Sequence, residues 1–213
     1  MKEHLKQEPE MANPELAGVE IETVSRSDLL MKGVLAAGAV YGVAMAGPFL
    51  RQAFAQSGSG DVEILNFALT LEYLEAAFYE EAQTRVSGSS ELMDLIEQIG
   101  TDEQEHVAAL TASIRQLGAK PVKAPKVSFP YGDTAGFLKL AQTFEDTGVS
   151  AYNGAAPAIK SKAVLASAGS IVQVEARHAA AIRLQNKTQP APDAFDPTLS
   201  QSKVEAAVMP FIK

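Results

Sequence analysis

The sequence predicts an all-α protein: a four-helix bundle with one long connection between its second and third helices, an apolar N-terminal helix before it and a short C-terminal helix after it. Three observations predict this. Apolar residues recur at helical spacing in four long segments. A glutamate stands three residues ahead of a histidine twice, at Glu103/His106 and Glu175/His178, a spacing that puts both side chains on one helix face. Both members of the second pair lie 72 residues after their counterparts in the first, so the chain reads as two similar halves.

The repeat extends beyond the pairs. A shift of 73 residues aligns Glu72 with Glu145 and Tyr79 with Tyr152. Each half is therefore a helical hairpin ordered Glu, then Glu-x-x-His. Two lone glutamates and two such pairs, projecting inward from four helices, are the ligand set of a two-metal carboxylate centre. The candidate ligands are Glu72, Glu103, His106, Glu145, Glu175 and His178. Glu103 and Glu175 are the bridging candidates, Glu72 and Glu145 the terminal ones, and each histidine completes one metal. Four carboxylates largely balance two divalent ions, and carboxylate with imidazole suits iron first and manganese second, rather than structural zinc. The bland alternative, a pair of hydrogen-bonded core histidines, requires four buried carboxylates without a cation.

The neighbouring polar residues are assigned lesser places. Glu75 aligns with Gly148 rather than with an acid, so Glu72 is preferred as the ligand, and Glu75, one turn away, is left as a candidate to support the ligands. Asp102 and Glu105 read as solvated, and Asp146 falls off the stripe that carries Glu145. Tyr79 and Tyr152, two turns beyond the terminal glutamates, read as ordinary amphipathic core residues.

Four stretches carry a resemblance: Leu65 to Glu75, Asp102 to His106, Ala151 to Ala155, and Val174 to His178. They are similar to the ferritin-like domain proteins that include the plant desiccation-related proteins, over about residues 56 to 213. The resemblance implies a four-helix metal-binding bundle and no particular reaction.

Composition narrows the alternatives. The 213 residues suit one domain plus a leader. With no cysteine, disulfides, thiolate zinc sites and cysteine nucleophiles are excluded. The net charge of −8 and the absence of a basic stripe argue against nucleic acid.

Taken in order, residues 1–24 are acidic and poor in large apolar side chains, and read as a disordered leader. Residues 25–55 resemble a twin-arginine export signal: Arg26 precedes an uncharged run from Gly33 to Leu50, and Ala53-Phe54-Ala55 offers a cleavage site. Ser27 stands where the second arginine belongs. An uncleaved membrane anchor is the alternative. Residues 56–189 form the bundle. Helix A is expected over 61–84, with Ser59 as cap and an apolar face of Ile64, Phe67, Ala68, Leu71, Leu74 and Phe78. Helix B is expected over 91–117, closed by Gly118 and Pro121. The connection 118–133, with three prolines, has no helical period. Its sixteen residues reach about 50 Å, enough to span a 25-residue helix of about 38 Å. Helix C is expected over 134–155, ended by Pro157, and helix D over 161–186. The tail, 190–213, holds a short helix over 199–208 whose apolar face docks on the bundle.

Three functional classes fit: an exported di-iron oxidase or peroxide-scavenging centre, metal binding without turnover, and a structural protein protective in oxidative or desiccation stress. Dioxygen or peroxide is the expected partner of the first class, and a membrane partner only if the N-terminal segment is uncleaved.

Overall fold

The computed structural model describes residues 59–213. The leader and the export-signal stretch lie outside the described residues. Five helices follow in order: α1 Ser59–Arg85, α2 Ser90–Gln116, α3 Thr134–Ala155, α4 Lys162–Gln185 and α5 Gln201–Val208. The long helices agree with the expected ones to within two residues at each end, and the caps explain the boundaries. Ser89, Asp133 and Ser161 each accept a hydrogen bond from a backbone N–H of the first turn, at Leu92, Gly136 and Val164 respectively. Pro157 converts the end of α3 into a 3-10 turn over Ala156–Ala158. The tail helix begins two residues later than expected, at Gln201.

The helices pack as two hairpins, α1 with α2 and α3 with α4. α1 and α3 run antiparallel. Asp61 at the start of α1 accepts from the backbone N–H groups of Lys160 and Ser161, beyond the end of α3. Arg85 at the end of α1 donates to the carbonyl of Tyr131, just before α3 begins, and its guanidinium stacks 4.2 Å from the Tyr131 ring centroid. The connection between the hairpins therefore runs the length of α1: Val122 N–H donates to Asn66 near one end, and Tyr131 meets Arg85 at the other. Nineteen helical residues between those points span about 28 Å, well within the reach of the loop. The C-terminus clasps this connection through an isolated antiparallel bridge between Val127 and Ile212.

The apolar core is split in two. At one end an aromatic cluster surrounds Phe78, which stacks on Phe137 at 5.0 Å and meets Phe144, Phe129 and Tyr79 edge-on at 4.9, 5.1 and 5.3 Å. At the other end Leu65, Leu69, Leu110, Ile114, Val164 and Ile171 pack together. Helix α1 buries a wider face than the expected stripe, because it touches both α2 and α3: Leu65 and Leu69 are buried, while Ile64 and Phe67 are only partly so. The tail helix docks as expected, with Val204 and Val208 buried. Leu199 N–H bonds the Ser150 carbonyl, and a Cβ at Gly154 would collide with the Leu199 carbonyl, so the tail crosses α3 only over a glycine. Among the described residues no helix is long and apolar enough to cross a membrane.

Candidate metal centre

Between the two apolar layers lies a layer of charge. The stripes that carry the six predicted residues converge there: Glu72 from α1, Glu103 and His106 from α2, Glu145 from α3, Glu175 and His178 from α4. All four glutamates and His178 are fully buried, and His106 is 8% exposed. One polar atom from each of Glu72, Glu103, His106 and Glu175 falls within a 4.8 Å cluster, and the same holds for Glu103, Glu145, Glu175 and His178. Glu103 and Glu175 belong to both clusters; Glu72 and Glu145 belong to one each.

The atoms divide in the same way. His106 Nδ1 lies 3.1 Å from Glu72 Oε2, from Glu103 Oε2 and from Glu175 Oε1. His178 Nδ1 lies 3.0 Å from Glu103 Oε1 and 3.6 Å from Glu145 Oε2. Glu103 thus turns one oxygen to each imidazole. An imidazole nitrogen carries one hydrogen at most, so it cannot pair with three oxygens at once. Accordingly Glu103 Oε1, Glu145 Oε2, both oxygens of Glu175 and His178 Nδ1 are buried with no hydrogen-bond partner. Unpaired polar atoms this deep are costly. Cations repair the defect. Two ligand atoms about 2.1 Å from one ion and at right angles lie about 3.0 Å apart, close to the observed spacings. The donors, carboxylate and imidazole without thiolate, fit iron or manganese. On geometry and chemistry the residues fit a pair of metal ions.

The electrostatics describe the same defect in protons. Burial first, then repulsion from Glu103, raises Glu72 to about 7 despite the pull of His106. Burial also raises Glu145 and, together with the neighbouring carboxylates, lifts Glu175 well above the usual range. Glu103 goes the other way: burial pushes it up, but His106 and His178 outweigh this and hold it below the usual carboxylate range. Burial would push both histidines down, yet their carboxylate neighbours raise them well above the usual imidazole value. The carboxylates thus favour the protonated form of both imidazoles.

The surrounding shell corrects two expectations. Asp102 is not solvated. It is 5% exposed, accepts from Gln98 Nε2 at 2.9 Å, and its Oδ2 lies 3.1 Å from His178 Nε2. A carboxylate on the far nitrogen fixes the tautomer that turns Nδ1 inward. The repeat places Val174 at the equivalent position, so His106 has no such acid from α4. Glu105 is exposed, as expected.

The tyrosines are more than core filling. Tyr79 donates to Glu145 Oε1 and Tyr152 donates to Glu72 Oε1. Each hairpin's tyrosine holds the other hairpin's terminal glutamate by one oxygen, leaving Oε2 turned inward. Their equal offset from the glutamates in the repeat was the only sequence signal for this role.

Glu75, one turn from Glu72, is 3% exposed and so is buried near the centre, consistent with a supporting place beside the ligands. Asp146 lies outside the centre, as expected, and pairs with Arg183 at 2.5 Å.

A family model described as a ferritin-like domain matches residues 60–188. The chain belongs to the ferritin-like domain family. No curated protein matches it. The match covers the four long helices of the ferritin-like domain and stops before the tail, and buried glutamate and histidine clusters of this kind are compatible with metal binding.

Proposed function

We propose that this ferritin-like protein holds a dinuclear non-haem metal centre, of iron first or manganese second, in an exported chain that acts under oxidative or desiccation stress. Glu72, Glu103 and His106 would hold one metal and Glu145, Glu175 and His178 the other, with Glu103 and Glu175, which belong to both clusters, placed to serve both. The observation that carries this reading is Glu103, whose two oxygens lie 3.1 and 3.0 Å from the two imidazoles. The proposed organisation is a leader over 1–24, an export signal cleaved after Ala55, the bundle over 56–189 and the docking tail over 190–213.

Bound iron would supply one-electron redox chemistry toward dioxygen or peroxide. The chain's own residues do the rest. The carboxylates neutralise the ions, Asp102 and the two tyrosines hold ligands in place, and the two apolar layers keep bulk water out. A cavity of about 420 Å³ lined by Asp146, Arg183 and Pro190 includes none of the six proposed ligands. The reading is an oxidase or peroxide-scavenging centre, with metal binding without turnover as the second reading.

Metal analysis of the natively purified protein, beside Glu103→Ala and His178→Ala variants, tests the centre. Both variants are expected to lose most of the metal while circular dichroism shows an intact bundle. Unchanged stoichiometry in both would refute the centre. Glu72→Gln is expected to lose one metal and Glu75→Gln to keep two. Peroxide consumed in many-fold excess over protein distinguishes an enzyme from a binding protein.

A further inference from the structure

The internal repeat has an axis, and the tyrosines locate it. Tyr79 follows Glu72 by seven residues and Tyr152 follows Glu145 by seven, and each tyrosine bonds the other helix's glutamate. Two antiparallel helices joined by crossed bonds of equal span are related by a two-fold axis through the midpoints. The midpoint falls between residues 75 and 76 on α1, and between 148 and 149 on α3. There each helix meets its own equivalent, and the repeat pairs Glu75 with Gly148. Two glutamates would collide at this point. A Cβ on Gly148 would already lie 3.2 Å from Glu75 Oε1 and 3.1 Å from Glu175 Oε2. The glycine is what admits one carboxyl to the axis.

A carboxyl on the axis faces both halves of the centre. Burial raises Glu75 well above the usual range, and Glu175, Glu103, Glu72 and Glu145 all add to this, so it senses every proposed ligand carboxylate. It takes part in none of the hydrogen bonds described above. Glu75 also lines a small cavity of about 10 Å³, together with Leu71, Leu74, Phe144, Thr147, Gly148 and Val208. That is close to the lower limit for one water molecule. Six of those residues are three repeat-related pairs, Leu71 with Phe144, Leu74 with Thr147 and Glu75 with Gly148, so the cavity too lies on the axis. The seventh, Val208, comes from α5 and covers it.

We propose that this cavity is the port by which a small diatomic ligand, such as dioxygen or nitric oxide, reaches the centre, with Val208 as its outer wall and Glu75 as the side chain it must pass. The inference rests on the dinuclear reading. It explains why the repeat is broken at Glu75 and Gly148, at the midpoint between the crossed tyrosine bonds, and why the tail helix docks over this point. Metal binding itself needs neither feature.

The test uses the anaerobic ferrous protein and nitric oxide as the probe, followed by stopped-flow absorbance. Val208→Phe fills the cavity and is expected to slow association at least about tenfold. Val208→Ala widens it and should speed association, and Glu75→Ala should do so more strongly while retaining both irons. Iron content and circular dichroism are measured on every variant, so that a tail helix displaced by Val208→Phe is recognised and the two alanine variants decide. Two irons bound with unchanged rates in both alanine variants would overturn the port alone. Fewer than two irons in the unsubstituted protein would overturn the dinuclear reading and this one with it.

Discussion

Raising the pH should destabilise the metal-free protein and leave the metal-loaded protein unharmed. The perturbation is a pH change from 5 to 8, with and without a chelator. Glu72 is raised from its ordinary 4.5 to about 7 in the fold. Between those values the folded state binds the proton more tightly than the unfolded chain, so stability falls as pH rises. At about 1.4 kcal/mol per unit, the full shift amounts to about 3 kcal/mol, or roughly 6–12 °C in Tm for a protein of this size. Glu145 and Glu175 are raised as well and act in the same direction. His106 and His178 are raised too. Their contribution is complete below the ordinary imidazole value and is lost as pH climbs through the folded one, again the same sign. Glu103 is the exception. Its depressed value contributes stability above the ordinary carboxylate range and loses it only in acid, outside this window. Metal ions replace these protons and bind better as the ligands deprotonate, so the gap between loaded and chelated Tm should widen with pH. Thermal unfolding by circular dichroism at several pH values measures it. A chelated Tm that is flat or rises between pH 5 and 8 would refute the electrostatic account.

Three further outcomes are expected. Asp102→Asn should weaken metal affinity about 10- to 100-fold, read by competition with a chelator, whereas Glu105→Gln on the same helix should not change it. Tyr152→Phe frees Glu72 Oε1 and Tyr79→Phe frees Glu145 Oε1; each should weaken one metal more than the other, seen as a split in the anaerobic titration, while the paired loss of both metals would contradict the crossed arrangement. N-terminal sequencing of the native protein should begin at Gln56, and an intact Met1 in the membrane fraction would favour the anchor instead.

The sequence by itself determined everything that depends on position within one helix. Apolar periodicity, caps and prolines placed the long helices to within two residues, because those signals act over a single turn. The i, i+3 spacing put Glu103 with His106 and Glu175 with His178, and the 73-residue shift singled out Glu72 and Glu145. All six came together because each sat on the stripe its own helix buries. Only the tertiary structure decided what one helix shows another. Asp102 meets His178 across 76 residues of chain, and Tyr79 and Tyr152 exchange glutamates across 66 and 80. Glu75 was set aside as a ligand because the repeat gave it no partner. In the fold that missing partner is the reason for its place: at an axis where equivalent residues face each other, one carboxyl enters only if its counterpart is a glycine. Such contacts depend on the rotation and relative height of packed helices, which are set by how two whole surfaces interlock and not by any short run of residues.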